Sequence, residues 1–399
     1  MSERAQQMLW VVLAIIALGL SAATAYLYVE SRRVSLTAGA AYRLAYTSIQ
    51  EESQEKLSGH IESCNLHGKN VAQLTDADAF DAFAACEPLP PGTTREPRVA
   101  FLRLQIETQS HNQPSPSDVG APGGMYVVNA GGGEAKRICG DLERMWTVAP
   151  SWSPDGKQLV FAAVEDLNND GRFVMDEVGI YACDVQSTES KRIASIDGAV
   201  TRLSWSPASP QIIVIFIQSG QLQSKLLDAE TGRSLLEGPA PAACWSPDGQ
   251  ELAAYLPEDD KIHILRPDGS ESYQLDPPGH VVQLLWIPTW PASEQSKRGR
   301  LLAISRPEHT SEISQLYVRS AEPGDERWQP IDLEGYMIQM SASPDGRYVA
   351  YTLLTDELAE ARRTVSPADL YLLEIGHNQP VRLTSDPGFE GLATWIPVQ

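Results

Sequence analysis

Residues 166–177 read Asp166-Leu167-Asn168-Asn169-Asp170-Gly171-Arg172-Phe173-Val174-Met175-Asp176-Glu177. Oxygen-bearing side chains at the first, third, fifth and twelfth positions, around a glycine at the sixth, supply the shell a calcium ion needs. Asp166, Asn168 and Asp170 point inward on a tight turn, the Arg172 carbonyl fills the seventh position, and Glu177 closes the shell with both oxygens. The flanking runs, Leu159 to Val164 and Gly179 to Val185, are rich in β-formers. The loop is therefore expected inside a strand hairpin rather than between two helices, with a structural Ca2+ holding the hairpin in one shape. An Asx-rich turn without metal is the competing reading.

The other chemistry-bearing residues are dispersed. There is no G-x-S-x-G elbow, no H-E-x-x-H and no Gly-rich phosphate loop; Gly131-Gly132-Gly133 reads as a hairpin turn. The seven histidines, His60, His67, His111, His263, His280, His309 and His377, form no pair at metal-ligand spacing beyond the weak His60/Cys64/His67 grouping. Cys64 and Cys86 bracket a small segment and are either a disulfide, in an oxidising compartment, or two separate thiols. Cys139, Cys183 and Cys244 read as small buried residues on strands. No catalytic set emerges, and the expectation is a chain that is not an enzyme.

These residues are positioned by a repeat. Trp152-Ser153-Pro154-Asp155-Gly156 returns as Trp205-Ser206-Pro207, Trp245-Ser246-Pro247-Asp248-Gly249, Trp286-Ile287-Pro288, Ala342-Ser343-Pro344-Asp345-Gly346 and Trp395-Ile396-Pro397. The spacing of roughly 40 to 55 residues is that of a solenoid or a propeller. Each unit then carries short β-rich runs, such as Leu159-Val160-Phe161, Ile180-Tyr181 and Lys191-Arg192-Ile193. The Ser-Pro-Asp-Gly segment is a turn, with Pro presetting φ and Gly releasing the chain into the next strand. Each unit is thus a four-stranded antiparallel meander that must stack on its neighbours.

This repeat resembles that of the TolB-like six-bladed β-propeller family over about residues 96–399. The resemblance implies an all-β propeller of six blades, the first assembled from both ends of the fold. Ala393-Thr394-Trp395-Ile396 would pair with Val99 to Leu104 and leave no open edge. It also implies an envelope-associated, protein-binding role. The alternatives are a propeller hydrolase of the lactonase kind or a carbohydrate binder using the central funnel. The polar run Gln109 to Gly124 joins two strands and is a candidate contact loop.

Ahead of the repeats, residues 1–7 are a short tail. Met8 to Val29 is a 22-residue run without a charged side chain, expected as a transmembrane anchor or a signal peptide. Residues 30–95 are expected as a short helical stalk and a Pro-rich linker, from Ala38 to Leu57, Asp76 to Ala85 and Pro88-Leu89-Pro90-Pro91-Gly92. The net charge of −21 excludes a nucleic-acid backbone as partner, since no basic stripe exists to displace its counterions. The composite expectation is an extracytoplasmic propeller tethered at a membrane surface and binding protein partners.

Overall fold

The computed structural model describes residues 42–398 apart from 54–55, 76–79, 90–92, 105–123, 140–147, 165–177, 291–297, 307–313, 325–326, 334, 355–365 and 378. The described residues fold as strands. The series opens with β1 (Tyr42–Ser53), β2 (Lys56–Asn65) and β3 (Ala72–Gln73), followed by β4 (Phe80–Cys86), β5 (Arg98–Leu104), β6 (Gly124–Asn129) and β7 (Lys136–Ile138). Next come β8 (Ser151–Trp152), β9 (Gln158–Val164), β10 (Val178–Asp184) and β11 (Ser190–Ile196). A third set holds β12 (Ala199–Trp205), β13 (Gln211–Gln218), β14 (Gln221–Asp228) and β15 (Ser234–Gly238). Then follow β16 (Ala242–Trp245), β17 (Leu252–Leu256), β18 (Lys261–Leu265) and β19 (Glu271–Leu275), and after them β20 (His280–Ile287), β21 (Arg300–Arg306), β22 (Gln315–Ser320) and β23 (Gln329–Ile331). The chain closes through β24 (Tyr336–Ala342), β25 (Tyr348–Leu354), β26 (Ala368–Glu374), β27 (Val381–Arg382) and β28 (Phe389–Pro397).

Among the described residues the strands form four four-stranded sheets and one twelve-stranded sheet; the latter is three four-stranded antiparallel groups joined by the parallel pairs Gly59–Phe80 and Ala368–Phe389, so that seven such units, or blades, are present. Six are consecutive in the chain: β4 to β7, β8 to β11, β12 to β15, β16 to β19, β20 to β23 and β24 to β27. The remaining blade, taken here as the first, joins the two ends of the series: β28 pairs with β1, β1 with β2, and β2 with β3. β4 contacts β8, β8 contacts β12, β13 contacts β16, β16 contacts β20 and β20 contacts β24, while β28 contacts both β24 and β4, so the units follow one another in a ring.

Two sequence expectations are corrected here. The expected six-bladed ring has seven units, and the C-terminal strand pairs with Tyr42–Ser53, Leu44 lying opposite Trp395, instead of with Val99 to Leu104. The position beside β5 is taken by β4, with Phe80 opposite Leu104. Among the described residues the expected helical stalk is replaced by strands, at residues 42–53, 56–65 and 80–86. Their Ala-, Gln- and Glu-rich composition favours a helix locally, but β1 is hydrogen-bonded on both sides, and that tertiary pairing overrides propensity. No helix among the described residues is long and apolar enough to cross a membrane; the expected span, residues 8–29, lies outside the described residues.

The core lies between blades. Ala100, Leu102, Phe161 and Tyr181 fill the space between the second and third, and Val160, Ile180, Val214 and Phe216 that between the third and fourth. Ala253, Tyr255, Leu284 and Trp286 join the fifth to the sixth. The repeated tryptophans add a polar tie: the Trp152 indole N–H donates to the Ala85 carbonyl of the preceding blade at 2.9 Å, and Trp245 to that of Ser204 at 3.2 Å.

Candidate functional site

The ring has two unlike faces, and the difference begins in the turns. The link from first to second strand in three blades is Ser-Pro-Asp-Gly. In each, the Ser hydroxyl donates to the Asp carboxylate: Ser153 to Asp155 and Ser246 to Asp248 at 2.7 Å, Ser343 to Asp345 at 2.6 Å. The glycines sit at φ +68, +66 and +72, in the left-handed region. A Cβ at Gly346 would stand 2.4 Å from the Pro288 carbonyl oxygen of the preceding blade, so the residue type also permits blade stacking. In these three blades the link is a short turn, while the corresponding links β4 to β5 and β20 to β21 are longer.

Because the strands alternate in direction, the links from second to third strand all emerge on the other face. There the connection is a two-residue hairpin in the fourth blade, Ser219-Gly220 with both φ angles positive, as a type I′ turn requires. Much longer segments join β5 to β6, β9 to β10, β21 to β22 and β25 to β26. The calcium-loop residues Asp166, Asn168, Asp170, Arg172 and Glu177 fall in one of these connections and lie outside the described residues. The strands that flank them in sequence are paired, Val164 opposite Val178. Among the described residues, no group of three or more His, Cys, Asp or Glu side chains could hold a metal ion.

Near the axis, the inner strands carry few charges. Arg202 on β12 has its pKa drawn down by burial, partly offset by the Cys244 sulfur. Asp81 on β4 is fully buried and receives two hydrogen bonds from Arg103, at 2.7 and 2.8 Å. Glu390 on β28 has no such cationic clamp: it is 1% exposed, and only a Thr384 hydrogen bond acts to lower its pKa. Its neighbours make this worse, because Asp386, Asp369 and Glu62 all lie within electrostatic reach. Burial first, and those carboxylates second, push its pKa up to about 8, leaving most of the group protonated at neutral pH. Asp369 on β26 is also raised by burial but pairs with Arg382 at 2.6 Å. A neutral carboxylic acid thus stands near an ion-paired carboxylate at the seam between the last blade and the first.

His263, on β18, was not singled out by spacing. Its Nε2 lies 2.8 Å from Asp259 and its Nδ1 2.6 Å from Glu271, so both ring nitrogens are engaged and neither is left to serve as a base or ligand. Only the fold brings Glu271, from the next strand, to it.

The cysteine expectation is also corrected. The disulfide joins Cys139 to Cys183, with Cα atoms 5.5 Å apart, and ties the second blade to the third. Cys64 and Cys86 are free, the alternative of two separate thiols; burial pushes each thiol up to about 12.

No family model matches the chain, and no curated protein matches it by sequence. Solved structures do. Puromycin hydrolase superposes with a TM-score of 0.53 at 13% identity over 86% of this chain, which spans only 53% of that protein. A putative 6-phosphogluconolactonase from Bacteroides uniformis gives 0.51 at 8% identity, over 89% of this chain and 99% of its own. The chain has a TolB-like β-propeller fold. TolB from Acinetobacter baumannii itself aligns over 90% of this chain and 84% of its own at 15% identity, with a TM-score of 0.46. At these identities the likeness is one of fold. The expectation that this propeller is not an enzyme does not stand, because propellers that superpose on it carry the names of a hydrolase and a lactonase.

Proposed function

We propose that this protein is an extracytoplasmic propeller that binds protein partners on the face bearing the long second-to-third-strand connections. The observation that carries the reading is the contrast between the two faces. One is occupied by Ser–Asp turns that lock blades together, while the other receives the connections that structure does not need, and binding is disproportionately carried by such segments on rigid scaffolds. The Cys139–Cys183 disulfide supports a location outside the reducing cytoplasm. The calcium loop belongs to the same face, and a bound Ca2+ would hold that hairpin in one shape; calorimetric titration is expected to show calcium binding at or below about millimolar levels.

The test uses photo-crosslinking side chains placed on each face of the full chain in its native envelope. Adducts of defined mass are expected from Ser117, Thr310 and Ala359 on the connecting segments, and none from Lys157 or Gln250 beside the turns. Adducts confined to the turn positions would overturn the proposal. A second reading, hydrolysis at the seam, is favoured by two neighbouring buried carboxyls, Glu390 and Asp369, of which Asp369 is paired with Arg382, a set from which acid–base cleavage can be built. Its mark would be lactone or ester turnover abolished by Glu390→Gln.

A further inference from the structure

Inner strands β12, β20 and β24 share an irregularity. In each, the pairing with the next strand skips one residue: Thr201 between Val200 and Arg202, Val282 between Val281 and Gln283, and Ile338 between Met337 and Gln339. Such a bulge re-aims the side chain that follows it. Gln283 shows the direction, because its Nε2 donates to the Met340 carbonyl on the inner strand of the next blade, at 3.4 Å. Arg202 takes the same position in the fourth blade, and the titratable group within its electrostatic reach is Cys244 on β16, the inner strand of the fifth.

The wall around Arg202 is neutral. Strands β8, β12, β16 and β20 carry no Asp or Glu. Ala242 is fully buried, and the Cys244 thiol stays protonated because burial pushes it up to about 12. Arg202 is itself part-buried, and among the described residues it has no hydrogen-bond acceptor and no carboxylate partner. Comparable arginines are treated differently. Arg103 meets Asp81 at 2.7 Å, Arg98 meets Glu87 at 2.7 Å and Arg347 meets Glu374 at 2.9 Å, with those arginine side chains 22%, 28% and 22% exposed. Arg202 has the burial without the anion. A guanidinium does not shed its proton at ordinary pH, so a balancing negative charge is called for from elsewhere.

We propose that Arg202 holds a small monovalent anion, of the size of chloride, at the inner edge of the interface between the fourth and fifth blades. Ala149 and Ala242 stand three residues before Trp152 and Trp245, as Arg202 stands before Trp205, so the neighbouring blades put only methyl groups at this level. The site is separate from the loop face and from the carboxyls of the seam, and does not depend on what either does.

Melting of the full chain, followed as chloride replaces the bulkier gluconate at constant ionic strength, tests it. The parent is expected to gain about 1 to 3 °C, saturably, with a midpoint at or below about 50 mM, and Arg202→Met to gain nothing. Without chloride the variant is expected to melt at or above the parent, since an unbalanced cation has been removed. An equal chloride response in parent and variant would overturn the site. So would a variant that loses the same stability with and without chloride, the mark of a carboxylate outside the described residues, such as Asp141 or Glu143, acting as the partner. If Arg202→Met does not fold, chlorine-35 line broadening by the unmodified chain decides: saturable broadening with the same midpoint is expected, and its absence would overturn the proposal.

Discussion

Glu390→Gln is expected to stabilise the protein at and above neutral pH. The glutamate is buried, only a Thr384 hydrogen bond favours its charged form, and Asp386, Asp369 and Glu62 crowd it, which together carry its pKa from the ordinary 4.5 to about 8. Below pH 4.5 the acid is protonated in the folded and unfolded chains alike, and the two proteins should differ little. Between pH 4.5 and 8 unfolding releases this proton, so each rise in pH favours the unfolded chain, and above about 8 the deficit is constant. A neutral amide of the same shape removes the penalty. Allowing for relaxation and water entry at the seam, the gain should reach about 2 to 3 kcal/mol at pH 8 and vanish near pH 4. Urea unfolding of both proteins across that range measures it. A variant less stable than the parent at pH 8, or a difference independent of pH, would show that Glu390 is solvated or paired.

Glu87→Ala is expected to have the opposite sign and a larger size. Glu87 has no exposed side-chain surface and is gripped by two arginines. Arg95 donates at 2.5 and 2.8 Å, Arg98 through its guanidinium at 2.7 and 3.0 Å, and the Arg98 backbone N–H at 3.1 Å. Arg98 also donates to the Gly156 carbonyl at 2.7 Å and lies over Trp152, so the carboxylate anchors the second blade to the turn of the third. Burial alone would raise its pKa, but the hydrogen bonds from Arg95 and Arg98 more than offset that and hold it at about 2. Its contribution is therefore complete above pH 4.5 and is lost as the pH falls toward 2. Removing the carboxylate leaves Arg98 without its anion in a part-buried site, at a cost of about 3 to 5 kcal/mol. Denaturant unfolding at pH 7 checks this, and a loss under about 1 kcal/mol would mean that the cluster is effectively a surface ion pair.

The two glutamates also mark where sequence reading succeeded and where it stopped. The repeated Ser-Pro-Asp-Gly turns and the apolar strands after them were legible because their chemistry is local: hydroxyl, carboxylate and glycine fall within one turn. From those alone five blades, β8 to β27, could be laid out correctly. The first and second blades were not, because their inner strands have no such turn beside them. A weaker signal was present. Phe80-Asp81-Ala82-Phe83-Ala84-Ala85 repeats as Phe389-Glu390-Gly391-Leu392-Ala393-Thr394, and the structure gives Phe83 and Leu392 the same positive φ, 62° and 56°. Aligning these two segments would have identified Phe80 to Cys86 as an inner strand and shown that one more blade was needed. The pairing of β1 with β28 links residues at opposite ends of the described chain, and local propensity carries no information about such a contact.

The same limit governed the site. The Cys139–Cys183 bridge spans 44 residues and two blades, and the clamp on His263 takes Glu271 from a neighbouring strand. Spacing rules designed for compact motifs do not see either. The twelve-residue calcium motif is the reverse case, local enough for its spacing to be read from the chain, and its residues lie outside the described residues.

Every inference about faces, seam and axis depends on how the ring is joined, and a cysteine crosslink measures that join. Ile49 and Phe389 are direct partners across β1 and β28. The native free thiols, Cys64, Cys86 and Cys244, are each pushed up to about 12 by burial and will not compete. Under mild oxidation the Ile49→Cys/Phe389→Cys variant is expected to form an intramolecular disulfide in nearly every molecule without loss of folded structure, while Leu104→Cys/Phe389→Cys forms none. A crosslink from position 389 to position 104, and none to position 49, would contradict the seven-unit ring.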